Sequence, residues 1–172
     1  MSKLNLKYKS IYVASCNLNY GLFAGRNFRQ GEQLFRFTGP VINLADAIAK
    51  GDTEGNALQI SSTTYIDLEP PGVFANHACD PNAGIRNSVE AHALRDILQG
   101  EEVRFDYSTT MSERRWTMTC RCGTSECRGT VGDFHELPYS IQKRYLGLGI
   151  VQPFIVQEIE STRDLDSFFQ PC

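Results

Sequence analysis

The chain has 172 residues, enough for one domain with a substantial core. An apolar fraction of 41% and a charged fraction of 22% exclude a disordered chain, and no run approaches the roughly 18 apolar residues of a membrane span. With 17 Lys and Arg against 20 Asp and Glu, the net charge of −3 argues against a nucleic-acid binder driven by phosphate neutralisation and permits a cationic partner; no membrane partner is expected.

The N-terminal Met1-Ser2-Lys3-Leu4-Asn5 opens no apolar stretch, so no secretory signal is expected. Short strands between glycine turns then follow one another. They are Ile11–Ala14, Gly21–Gly25, Gln33–Phe37, Ala57–Ile60, Thr64–Asp67, Gly84–Asn87, Ala91–Leu94 and Glu102–Tyr107. Their aromatic and β-branched content predicts a mainly β fold of small sheets. Arg29-Gln30-Gly31-Glu32 and Leu98-Gln99-Gly100-Glu101 echo each other and read as one turn device used twice. Helix is scarce. Leu44–Lys50 ends at Gly51, a second helix is expected from about Pro138 to Leu146 with Gly147 as its stop, and a third after Ser161, where Ser161 and Asp164 form an imperfect capping box.

Six cysteines are present: Cys16, Cys79, Cys120, Cys122, Cys127 and Cys172. Without a secretory signal a disulfide framework is not expected, and a tight cluster in a reducing compartment reads as metal-binding or catalytic. Cys120, Cys122 and Cys127 supply three thiolates, one short of a tetrahedral zinc, and Cys79 is the distant candidate for the fourth. The alternative is four unrelated reduced cysteines. Asn76-His77 precedes Asp80-Pro81-Asn82, a turn signal, and on its own His77 reads as a hydrogen-bonded residue of that turn. In Phe105-Asp106-Tyr107, period 2 sets the two aromatics on one face and Asp106 on the other. The aromatics suit either core packing or a narrow tunnel for an alkyl chain bearing an amine. Trp116 is read as a core anchor or as a cover for a ligand.

The order of these pieces is more specific than any one of them. Gly21-Leu22-Phe23, Phe37-Thr38-Gly39, Phe74-Ala75-Asn76-His77-Ala78-Cys79-Asp80-Pro81-Asn82, Gly100-Glu101-Glu102-Val103-Arg104-Phe105-Asp106-Tyr107 and the cysteine cluster together resemble a SET-domain protein-lysine methyltransferase with a post-SET zinc-binding segment. The resemblance covers roughly residues 10–130.

It implies a mainly β, β-clip-like SET fold of small curled sheets with a pseudoknot, short helices and a C-terminal helical extension. Residues 8–110 would be the SET domain, 111–130 the post-SET segment and 131–172 an extension packed on the domain. S-adenosylmethionine, leaving as S-adenosylhomocysteine, would lie against Gly21, Leu22, Phe23, Asn76, His77 and Tyr107. Tyr107 matches the catalytic tyrosine, and Phe105 and Phe37 match substrate-channel positions. Cys79, Cys120, Cys122 and Cys127 match the Zn2+ ligands. The partner would be a lysine-containing protein or peptide, histone or not, and the location cytoplasmic, or nuclear in a eukaryote.

Three positions depart from the family pattern. Phe37 stands where tyrosine is usual, which predicts more room and di- or trimethylation. Val73 stands where arginine is common. Gly21-Leu22-Phe23 keeps only the first glycine of Gly-x-Gly. Phe37 and Val73 are what would support a SET-like lysine-peptide binding module with little turnover, and a structural zinc protein is the third reading.

Overall fold

The computed structural model describes residues 7–168. Met1–Asn5 and Cys172 lie outside the described residues. The chain runs β1 (Lys7–Tyr8), β2 (Ile11–Cys16), β3 (Asn19–Ala24), β4 (Gln33–Arg36), β5 (Val41–Asn43), α1 (Leu44–Ala49), β6 (Ala57–Gln59), β7 (Thr64–Asp67), β8 (Asn76–His77), β9 (Ala83–Arg86), β10 (Glu90–Ala93), β11 (Arg104–Phe105), β12 (Met118–Thr119), β13 (Thr130–Val131), α2 (Tyr139–Leu148) and α3 (Pro153–Phe168).

Among the described residues five small sheets result, as the mainly β reading expects. Three have three strands, in the orders β1-β2-β3, β4-β10-β9 and β5-β7-β6. In the first, Val13 faces Leu22 and Ile11 faces Ala24, so alternate residues of both strands enter the core. Phe28, Phe37, Ile97 and Val103 complete that core. A two-stranded antiparallel sheet joins β12 to β13. The fifth pairs β8 with β11 in parallel, Arg104 opposite Asn76 and Phe105 opposite His77. This pairing threads the later strand beside the Asn76-His77 segment.

The repeated turn is one device. Gly31 and Gly100 have φ of 86° and 85°, a left-handed conformation that favours glycine. Glu32 accepts from the Arg29 N–H and Glu101 from the Leu98 N–H, three residues back in each case. The Glu102–Tyr107 strand is shorter than expected. Regular pairing stops at Phe105, because the Asp106 carboxylate accepts from the Ser108 N–H and starts a 3-10 turn over Tyr107–Thr110.

The helices also differ from expectation. α2 runs through Gly147 and stops at Gly149, whose φ of 64° and N–H bond to the Leu146 carbonyl make the left-handed cap. Helix α3 starts at Pro153, not after Ser161. Proline suits the first turn, and Ser161 sits within the helix with its hydroxyl on the Gln157 carbonyl. Phe134, Leu137, Tyr145, Ile150 and Ile155 form a second buried cluster that carries these helices. Among the described residues no helix is long and apolar enough to cross a membrane.

Candidate active site and metal centre

The β8–β11 pair brings the sequence motifs together. Phe105 and Tyr107 have ring centroids 4.8 Å apart, and the His77 ring lies 5.3 Å from that of Tyr107. Tyr107 Oη donates to the Ala75 carbonyl at 2.9 Å, and the Tyr107 N–H donates to His77 Nδ1 at 3.3 Å. Burial, and secondarily the Glu102 carboxylate, push the Tyr107 phenol well above its ordinary range, so it stays protonated.

Phe105 and Tyr107 form the floor of a cleft with about 60 Å³ of free space. Trp116 lines it too, packed so closely on Gly55 that a Cβ there would sit 2.9 Å from the indole. The other wall is polar. Glu54 pairs with Arg115, and Glu113 accepts from Tyr65 Oη at 2.5 Å. Burial, then the Glu113 carboxylate, raises the Tyr65 phenol. Gln59 is 3% exposed, accepts from the Ser112 N–H at 3.0 Å, and among the described residues leaves its Nε2 without a partner. Phe37 does not line the cleft. It is 2% exposed and packs edge-on behind Phe105 with centroids 5.5 Å apart.

On the other side of the β8–β11 pair lies Asn76. Its Nδ2 donates to the Tyr20 carbonyl at 2.9 Å and to Glu102 Oε1 at 2.8 Å. Among the described residues its Oδ1 accepts no hydrogen bond. Gly21 packs against this pair, and a Cβ there would sit 2.4 Å from Glu102 Oε1. Leu22 is fully buried, and Phe23 stacks on Tyr12 at 5.6 Å. The His77 ring is turned inward, with Nε2 at 3.3 Å from Cys79 Sγ. Burial chiefly, with Arg128 and Arg104 adding to it against the pull of Asp106, lowers the His77 pKa to about 4, so the ring is neutral.

Cys79, Cys120, Cys122 and Cys127 place their sulfurs within 4.8 Å of one another, and Cys79 and Cys120 are 3.7 Å apart. Four thiolates at about 2.3 Å from a tetrahedral zinc stand about 3.8 Å from each other, so the donor set and its spacing fit that ion. Burial opposes ionisation of Cys122, but the hydrogen bonds it shares with Cys79, Thr124 and Cys120 outweigh burial and hold it below the ordinary thiol range. The Arg128 N–H and the His77 ring both point at Cys79 Sγ, partners of the kind that orient a metal ligand.

Three residues of this assembly have no signal of their own in the sequence. Glu102 fixes the Asn76 amide, and Arg128 and Tyr145 both reach the buried Asp106. Arg128 directly follows Cys127 in the chain, and Tyr145 belongs to a helix without any motif.

A SET domain family model matches residues 19–108. A Saccharomyces cerevisiae histone-lysine N-methyltransferase, H3 lysine-4 specific, is 27% identical over 75% of this chain and 14% of its own length. Human histone-lysine N-methyltransferase 2B is 32% identical over 63% of this chain and 5% of its own length. The chain therefore spans only a small part of these relatives. A solved humanized mutant of the Chaetomium thermophilum Polycomb Repressive Complex 2, bound to the inhibitor GSK126, aligns with a TM-score of 0.53 at 23% identity. That alignment covers 61% of this chain and 16% of the solved one, and it places the fold.

Proposed function

The chain belongs to the SET domain family, and on that premise we propose that it methylates the ε-amino group of a lysine in a protein or peptide, with S-adenosylmethionine as donor. The observation that carries the reading is the aromatic cleft closed by Phe105 and Tyr107 at the β8–β11 pair. Its aromatic and apolar lining suits an alkyl chain, and the carboxylates of Glu54 and Glu113 in its polar wall suit a cationic side chain.

A lysine amine must be neutral to attack. Lowering its pKa from about 10.4 to about 7.5 requires about 4 kcal/mol of preference for the neutral form. Exclusion of water by the Phe105, Tyr107 and Trp116 rings favours that form. The Tyr107 proton is committed to the Ala75 carbonyl, so its oxygen is left to accept from the amine and aim the nitrogen lone pair. When bound, S-adenosylmethionine supplies a methyl group on a sulfonium sulfur. The free Asn76 Oδ1 and the adjacent Glu102 carboxylate suit the ammonium of such a molecule, and Gly21, lacking a Cβ, lets that carboxylate sit against the β3 backbone. Of the other candidates, Leu22 and Phe23 would contribute through backbone, and His77 through its effect on Tyr107 and Cys79.

The four cysteines would hold Zn2+ and tie residues 111–130 to the domain of residues 8–110, with residues 131–172 as an extension. Phe105 lines the cleft without a hydroxyl, which would leave room for more than one methyl group. The test is incubation of the full chain with methyl-labelled S-adenosylmethionine and core histones, followed by site mapping by mass spectrometry, beside Tyr107→Phe. Label on lysine in the wild type and at least about a tenfold loss in the variant is the expected result. Binding of S-adenosylmethionine without transfer to any protein overturns the enzyme reading in favour of a binding module.

A further inference from the structure

Residues well beyond the segment matched by the family model reach the candidate site through Asp106. This carboxylate is 1% exposed and stands directly before Tyr107. Arg128 holds it with both terminal nitrogens: Nη2 donates to Oδ1 at 2.9 Å, and Nη1 makes an ion-pair contact with Oδ2 at 2.8 Å. Tyr145 Oη donates to Oδ2 at 2.9 Å, and the Ser108 N–H donates to Oδ1 at 3.1 Å. A buried carboxylate is tolerated only with such a full set of partners. Two of them are remote in sequence. Arg128 follows the ligand candidate Cys127 and sends its own N–H to Cys79 Sγ at 3.4 Å. Tyr145 is fully buried on α2 of the C-terminal extension.

We propose that Arg128 and Tyr145, by holding the Asp106 carboxylate, are positioning residues that aim Tyr107, so the C-terminal extension is a working part of the site. Asp106 is the residue from which Tyr107 leaves the β11 strand, and its side chain caps the turn that contains Tyr107. Through the Ser108 N–H that it accepts, the anchored carboxylate restrains the turn on which the phenol is mounted. The β11 strand holds one side of this peptide and the guanidinium and phenol pair holds the other. A small misplacement of an orienting group costs far more in rate than in binding. The proposal rests on the reading of Tyr107 as the residue that orients the amine.

Tyr145→Phe keeps the buried ring and removes only the hydroxyl, and Tyr139→Phe on the exposed part of the same helix is the control. The full chain of each is compared by methyl transfer to core histones, calorimetry with S-adenosylmethionine, zinc content and amide hydrogen exchange of residues 104–110. For Tyr145→Phe we expect kcat to fall roughly tenfold with KM, cofactor affinity and zinc content within about twofold of wild type, and exchange at Tyr107 and Ser108 to quicken roughly tenfold. Arg128→Lys is expected to retain more turnover than Arg128→Gln, because a cation remains against the carboxylate. Unchanged kcat and exchange in Tyr145→Phe overturn the proposal. So does a joint loss of zinc, cofactor affinity and turnover, which marks a general structural role. If the wild type transfers no methyl group, the reading of Tyr107 fails by itself. The exchange data then still decide whether Tyr145 orders the Tyr107 turn, faster exchange supporting it and unchanged exchange refuting it.

Discussion

The phenol of Tyr107 is tethered to the backbone of Ala75, with Oη on the carbonyl at 2.9 Å, across the parallel pair that joins two distant segments. Loss of that hydroxyl in Tyr107→Phe removes one hydrogen bond, worth about 1 kcal/mol of stability. The larger effect is on turnover, which we expect to fall by about 10²-fold while S-adenosylmethionine affinity changes little. Thermal unfolding and single-turnover methyl transfer on the same samples separate the two quantities. A variant that turns over like wild type would leave Tyr107 with a purely structural role.

Phe105 and Phe37 separate by position. Phe105 lines the cleft, so under the proposed function Phe105→Tyr would introduce a hydroxyl beside the amine and is expected to shift product toward monomethyl-lysine. Phe37 is 2% exposed behind it, and Phe37→Tyr must bury an unpaired hydroxyl at a cost of about 1–3 kcal/mol. Product ratios by mass spectrometry and unfolding midpoints should therefore move in different variants.

Chelation probes the thiolate cluster. One zinc per chain is expected, together with a sulfur-to-cobalt absorption band after exchange for Co2+. Removal of the ion should loosen residues 118–131 and lower the unfolding temperature, because binding energy at such sites is folding energy. Cys127→Ser, at the exposed corner of the cluster, is expected to weaken the ion without disturbing the buried sulfurs. Full retention of zinc by Cys79→Ser would contradict the four-sulfur assignment.

Gly39 has a φ of 151°, and a Cβ there would sit 1.8 Å from the Asp67 carbonyl oxygen. Gly39→Ala is expected to cost about 3 kcal/mol or more, since backbone and not a flexible side chain would have to move. Denaturant unfolding at neutral pH measures it.

Glu101 supplies the acid response. Burial works to raise its pKa, but Arg95, the Leu98 N–H and Asn82 outweigh burial and lower it. A carboxylate with a depressed folded pKa stabilises the fold above its unfolded value, near 4.5, and that contribution disappears as pH falls through the lower folded value. Wild type should thus exceed Glu101→Gln in stability at pH 7, and the gap should close below pH 4. Melting curves of both proteins across that range decide the point.

Strand positions, the doubled glycine turn and the four thiols were legible because each rests on local chemistry: alternation, positive φ and metal-ligand type. Helix limits were less so. Gly147 carries the same stop signal as Gly149, and only packing around Leu146 and Ile150 selects the second. The placement of Phe37 behind Phe105 follows from the approach of Gly72, where a Cβ would meet the Phe37 ring at 2.7 Å. Nothing in the neighbourhood of Phe37 along the chain reports that approach. Tyr145 was invisible for the same reason, since its partner Asp106 is distant in sequence and a tyrosine in a short amphipathic helix reads first as core.

The parallel pairing of Asn76-His77 with Arg104-Phe105 also has a kinetic meaning. Both strands are two residues long and are joined through the β9 and β10 strands of another sheet, so their union carries a loop-closure cost with few hydrogen bonds to offset it. It should be among the last contacts acquired during folding and among the first surrendered under stress. A chain caught before that step would own most of its sheets and a normal far-ultraviolet spectrum, yet have neither half of the cleft in register, so recovered turnover is a later milestone of refolding than recovered secondary structure.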